Sequence, residues 1–161
     1  MSTSRERCNL AHRLVKFVPV ELDDLERTYA EAPLGPAPGG VYRGRFLRFL
    51  SNAGAGKLWV RAMDTLLFRL PTFGLDFDRQ TWWFVTPGAR VGRFRSERAA
   101  SRWRPTECYA LTYDESRLPG PFKSMLYDEV KPLSADLLLG LGGMNAETGE
   151  GDHFFFTLER G

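Results

Sequence analysis

Along the first third of the chain, apolar positions recur at helical spacing and then switch to alternation. Over residues 5 to 17, Cys8, Ala11, Leu14 and Val15 share one helical face; beyond Pro19, Leu22, Leu25 and Tyr29 share another, with acids early in the segment. Two short amphipathic helices are expected within 1–32. Residues 33–40, rich in Pro and Gly, cannot continue a helix and act as a linker to the first strand, Val41 to Leu50. After a loop over 51–57, Leu58, Ala62, Leu66 and Leu70 form an i, i+4 series that reads as an inserted helix ended by Pro71, a strand pair being the alternative.

The remaining runs are short and aromatic or β-branched, bounded by Gly, Pro, Asp or Asn. They cover 81–85, 90–97, 107–113, 124–131, 137–142 and 153–160. With the first strand they make about seven strands at hairpin-like spacing, so the expected fold class is mainly β with helices: an antiparallel barrel filling 41–161 of a single domain, 1–161.

Alternation also assigns faces. In the first strand Tyr42, Phe46 and Leu50 share a face with Gly44 and Arg48, opposite Arg43 and Arg45. Phe94 lies with Gly92 and Ser96. In the 124–131 run, Leu126 and Val130 carry Asp128 onto the apolar face, while Glu129 and Lys131 turn outward. A carboxylate on an apolar face is a structural ion pair, with Arg48 the candidate cation, or part of a hydrogen-bonded turn, or a general acid or base in a cavity. Trp82 and Trp83 must face opposite sides, one in the barrel and one beneath a helix. Tyr109, Leu111 and Tyr113 form a further aromatic face. In the last strand Phe154, Phe156 and Leu158 align, with Arg160 in phase.

Composition narrows the partners. A net charge of +2, with bases scattered among acids, gives no dedicated nucleic-acid groove. Cys8 and Cys108 have no metal-ligand or disulfide spacing. No run approaches the roughly 20 apolar residues of a membrane span, and no signal peptide is apparent, so a soluble, cytoplasmic protein is expected. His12 and His153 are the two histidines; a lone histidine off the inner face does not make a haem or metal site, so no cofactor is expected. No P-loop, dinucleotide fingerprint, zinc-protease or nucleophile-elbow motif occurs, and the sequence fixes no reaction.

Gly40-Val41-Tyr42-Arg43-Gly44 resembles the G-x-W-x-G motif in the first strand of a family of small bacterial lipocalin-like proteins, with tyrosine for tryptophan. Tyr113-Asp114, Tyr127 to Lys131 and Leu139-Gly140 are similar to further stretches of that family, although Glu129 stands where its pattern has histidine. The resemblance implies a lipocalin-like barrel in which the first-strand aromatic stacks on an arginine of the last strand, here Tyr42 on Arg160. The family has no settled activity.

The expected function is binding of a small, largely apolar molecule, with Tyr42, Phe46, Trp82, Phe94, Tyr113 and Phe156 lining the cavity and Asp128 and Arg48 as its polar groups. The alternatives are a cyclase, isomerase or lyase using Asp128 as acid or base, and a protein-interaction module with a filled barrel.

Overall fold

The computed structural model describes residues 20–50, 73–84, 90–116, 120, 126–144 and 154–161. The helices expected over 5–17 and 58–70, and both histidines, lie outside them. Among the described residues are one helix, α1 (Leu22–Glu31), and nine strands: β1 (Val41–Phe49), β2 (Phe73–Asp76), β3 (Thr81–Phe84), β4 (Arg90–Arg93), β5 (Arg95–Ala100), β6 (Glu107–Thr112), β7 (Leu126–Pro132), β8 (Leu137–Met144) and β9 (Phe154–Arg160). They form one antiparallel sheet in the order β4-β3-β2-β1-β9-β8-β7-β6-β5. Its two edge strands, β4 and β5, are consecutive in the chain and separated by Phe94 alone. The sheet therefore curls into a nearly closed barrel, which leaves little free edge to pair with other chains.

Two strands exceed the expected number. β2 is the strand that alternation did not reveal: its four residues include Gly74, and the ring of Trp83 lies so close that a Cβ on Gly74 would stand 2.0 Å from Trp83 Cζ2. Trp83 thus supplies across the pair the cover that glycine lacks. The run over 90–97 divides at Phe94, whose N–H donates to the Gln80 carbonyl at 3.0 Å.

Inside the barrel, Tyr42, Phe46, Leu75, Phe77, Phe94 and Leu111 belong to one buried cluster with Val130, Leu138, Phe156 and Leu158. A second cluster lies on the outside, where Leu25 and Tyr29 of α1 cover Leu137, Leu139 and Leu141 of β8 and Phe155 of β9. Phe155 and Tyr29 meet edge to face at 6.1 Å. Asp23 and Asp24 in the first turn of α1 suit its positive end, and the helix stops at Ala32, which is extended (ψ 131°) ahead of Pro33.

Glu129 and Lys131 do leave the inner face, but neither reaches solvent. Glu129 Oε2 accepts from the hydroxyls of Tyr29 (2.9 Å) and Ser101 (2.5 Å), and Oε1 from the Arg102 N–H (2.7 Å). Lys131 Nζ donates to the Tyr29 carbonyl (2.9 Å) and the Thr106 hydroxyl (2.6 Å). Both side chains are fully buried. Burial alone would make two such charges costly; hydrogen bonds to each group offset that cost and pin α1 to the barrel wall. Glu26 and Arg104 add a two-point ion pair, 2.6 Å at each contact.

One barrel end is shut by the linker. Gly40, at φ +88°, donates its N–H to Asp78 Oδ1 (2.8 Å), a backbone state that glycine adopts readily. Arg160 lies 5.5 Å from the centre of the Tyr42 ring, as the family resemblance implied, and bonds the Gly39 carbonyl. The Tyr109 hydroxyl donates to the Gly35 carbonyl at 2.8 Å.

Candidate functional site

The cavity lies toward the opposite end, where β1 and β6 finish and β2, β7 and β9 begin. It measures about 170 Å³ and is walled by the rings of Phe46, Phe73, Trp82, Tyr113, Phe154 and Phe156. Leu75 and Leu126 add to the apolar lining, and among the described residues of the wall Asp128 is the one that carries charge. Neighbouring rings meet at angles between 47° and 76°, with centroids 4.9 to 6.0 Å apart, so the wall is a curved cup of rings and not a flat stack. Phe73, Trp82, Leu126, Asp128 and Phe154 keep partial exposure, whereas Phe46, Leu75, Tyr113 and Phe156 are buried.

Register explains how the rings reach this position. Phe156 stands directly across from Gly140, and Phe154 from Gly142. A Cβ at Gly140 would lie 2.1 Å from Phe156 Cζ, and one at Gly142 would lie 2.3 Å from Phe154 and 2.4 Å from Asp128 Oδ1. The two β8 glycines therefore let the β9 rings and the β7 carboxylate settle against the backbone.

Asp128 Oδ2 accepts a short hydrogen bond from the Tyr113 hydroxyl. Burial pushes the carboxyl up from its ordinary 3.8 to about 7, against the Tyr113 bond, which favours the charged form; the charge of Glu129 adds to the rise. Burial, and then the neighbouring Asp128, holds the Tyr113 hydroxyl well above its usual value. The Tyr113 hydroxyl therefore keeps its proton, and the Asp128 carboxyl is raised into the neutral range.

Of the residues singled out from the sequence, the fold brings Phe46, Trp82, Tyr113, Phe156 and Asp128 together around one cavity. Three others are elsewhere. Arg48 is exposed, because the β1–β9 register shifts between Phe46 and Arg48 and turns it outward. The same bulge sends Leu50 into the outer cluster with Phe155. Asp128 therefore takes the Tyr113 hydroxyl as partner and not Arg48. Tyr42 lines a groove of about 490 Å³ at the shut end, between the linker and residues 132–135. Phe94 is core, packed edge to face on Phe77 at 5.3 Å and behind Tyr113 at 6.5 Å. Phe73 and Leu75 belong to the strand that alternation does not reveal, whereas Leu126 and Phe154 take the inward phase that alternation gives them, which is the signal that places them at the site.

Fold and cavity together define a class: a nearly closed, antiparallel nine-stranded β-barrel with one described helix on its outer face and an aromatic cavity inside. A crystal structure of a protein from Thermomonospora curvata is similar to it, with a TM-score of 0.62 and 20% sequence identity over 98% of this chain and 99% of that one. At that identity the likeness shows the fold alone. No family model matches the sequence, and no curated protein matches it. No described helix is long and apolar enough to cross a membrane.

Proposed function

We propose that the barrel is lipocalin-like and binds a small, largely apolar molecule in the cavity beside Asp128. The observation that carries this reading is the cavity of about 170 Å³, walled by six aromatic rings on the inner face. A dry cavity of about 150 Å³ is enough to hold benzene, so the space suits a single ring or a short branched chain and is too small to enclose a long acyl chain. The reading keeps the protein in the cytosol, with which the buried, unpaired Cys108 agrees.

Titration with toluene, followed by tryptophan fluorescence and thermal shift, tests it. Saturable binding in the wild type, abolished by filling the cavity with Leu126→Trp, is the expected result; binding unaffected by that substitution would place the ligand elsewhere. Native mass spectrometry of freshly purified protein would reveal a molecule carried through purification.

A second reading, an isomerase, cyclase or lyase on the same barrel, is favoured by one specific feature. A carboxyl titrating at about 7 can both take and give a proton at neutral pH, and the rings would shield a charged intermediate from water. Asp128→Asn separates the two: a binder keeps its affinity for an apolar probe, whereas an enzyme keeps binding and loses turnover.

A further inference from the structure

We propose that the cavity selects a compact organic cation, an alkyl- or arylammonium group seated against the Asp128 carboxylate inside the cup of aromatic rings. This rests on reading the cavity as a binding site and goes further by naming the charge of its occupant.

The charge inventory gives the first argument. Among the described residues walling the cavity there is one acid and no base. The described partner of Asp128 is the Tyr113 hydroxyl, a neutral donor, and no ion pair to Asp128 is formed among the described residues. A carboxylate removed from water is costly unless a cation balances it, so an ammonium ligand would supply what the fold omits. On the other face of the same strand Glu129 has three hydrogen-bond donors. Glu129, which supports the fold, thus has a full set of donors, whereas Asp128 has one among the described residues.

The rings give the second argument. An aromatic face carries negative potential, so it attracts a cation and repels an anion; Phe46, Phe73, Trp82, Tyr113, Phe154 and Phe156 enclose the same space that Asp128 borders. A cation can seat on a ring face beside the carboxylate, an organic anion meets that carboxylate as repulsion, and a neutral molecule gains from burial alone.

Size is the third argument. About 170 Å³ suits a benzylammonium or a small tetraalkylammonium, and either would bring its nitrogen to the rim of rings and carboxylate without a long tail to house.

Among the described residues, the groups around Asp128 that could titrate are Tyr113, whose hydroxyl stays protonated, and Glu129, which faces the opposite side of β7. Across the strand pairs Asp128 meets Leu111 and Gly142, neither of which titrates. Ammonium binding should therefore weaken as pH falls through about 7, while binding of a neutral probe should not.

Calorimetric titration with benzylammonium, benzyl alcohol and benzoate near pH 8 tests the proposal, since the three share a ring and differ in charge. The expected result is benzylammonium tighter than benzyl alcohol by roughly tenfold or more, benzoate weakest, and the preference erased in Asp128→Asn. Equal binding of ammonium and alcohol by the wild type, or a preference that survives Asp128→Asn, overturns the cation proposal and leaves the binding site standing. If none of the three binds, the binding reading fails and the proposal fails with it. The wild-type comparison and its pH profile need no variant, so a poorly folding Asp128→Asn does not remove the test.

Discussion

At the centre of β7 two consecutive acids face opposite ways, Glu129 under α1 and Asp128 into the cavity. Glu129 is fully buried and accepts from Tyr29, Ser101 and Arg102, with Lys131 anchored one alternation away to Tyr29 and Thr106. Asp128 borders the cavity, has one hydroxyl donor among the described residues and is raised to about 7. The outer face is a closed network that fixes the helix. The inner face keeps a carboxyl whose charge is held in balance, and the difference separates an acid that supports the fold from one available to a ligand.

The hardest way to break that comparison is to remove the outer acid. Glu129→Ala strips three donors of their acceptor and leaves Lys131 buried among fewer compensating groups; a loss of about 3–5 kcal/mol is expected in urea unfolding. An unchanged midpoint would show that α1 is held by its apolar face alone.

The inner acid should respond with the other sign. Because the folded carboxyl is raised from 3.8 to about 7, the folded chain holds more protons than the unfolded one between those values. Stability from this group is fully present below about 4 and is lost as pH rises to about 7. Asp128→Asn lacks that slope, so near pH 8 it should be more stable than the wild type by about 2 kcal/mol, allowing for the partial exposure of the carboxyl. Thermal unfolding across this pH range reads the effect directly. A variant less stable at every pH would mean that the Tyr113 contact outweighs the cost of burying the charge.

Smaller effects sharpen the same contrast. Gly140→Ala drives a methyl group into the Phe156 ring, and a cost of about 1–2 kcal/mol is expected, since that ring can move toward the cavity. Reduced toluene affinity in the same variant would link the glycine to the cavity. Arg48→Ala should change stability by no more than about 0.5 kcal/mol, as expected of an exposed side chain away from the site, and should leave the titration of Asp128 in place.

Much of this arrangement was legible in the alternation. The phases of β7 and β9 put Leu126, Asp128, Phe154 and Phe156 inward correctly, and the G-x-Y-x-G resemblance paired Tyr42 with Arg160. Alternation failed where the strands break their own period. One bulge after Phe46 reversed Arg48 and Leu50, and nothing in Arg45 to Leu50 announces it. β2 escaped because the rings that cover its glycine and its neighbour's, Trp83 over Gly74 and Phe73 over Gly44, lie across strand pairs, which alternation within one segment does not show. The burial of Glu129 and Lys131 was hidden for the same reason: alternation tells which face a residue takes, and whether a helix and the 101–106 loop will cover that face depends on contacts far along the chain.

The inner face encloses an accessible cavity beside Asp128 while the outer face is solid, and diffraction from crystals pressurised with xenon separates the two, since xenon enters apolar cavities of about this size. A xenon peak is expected among Phe46, Trp82, Tyr113 and Phe156 and none around Glu129. An interior with no xenon, packed tight by its own side chains, would contradict it.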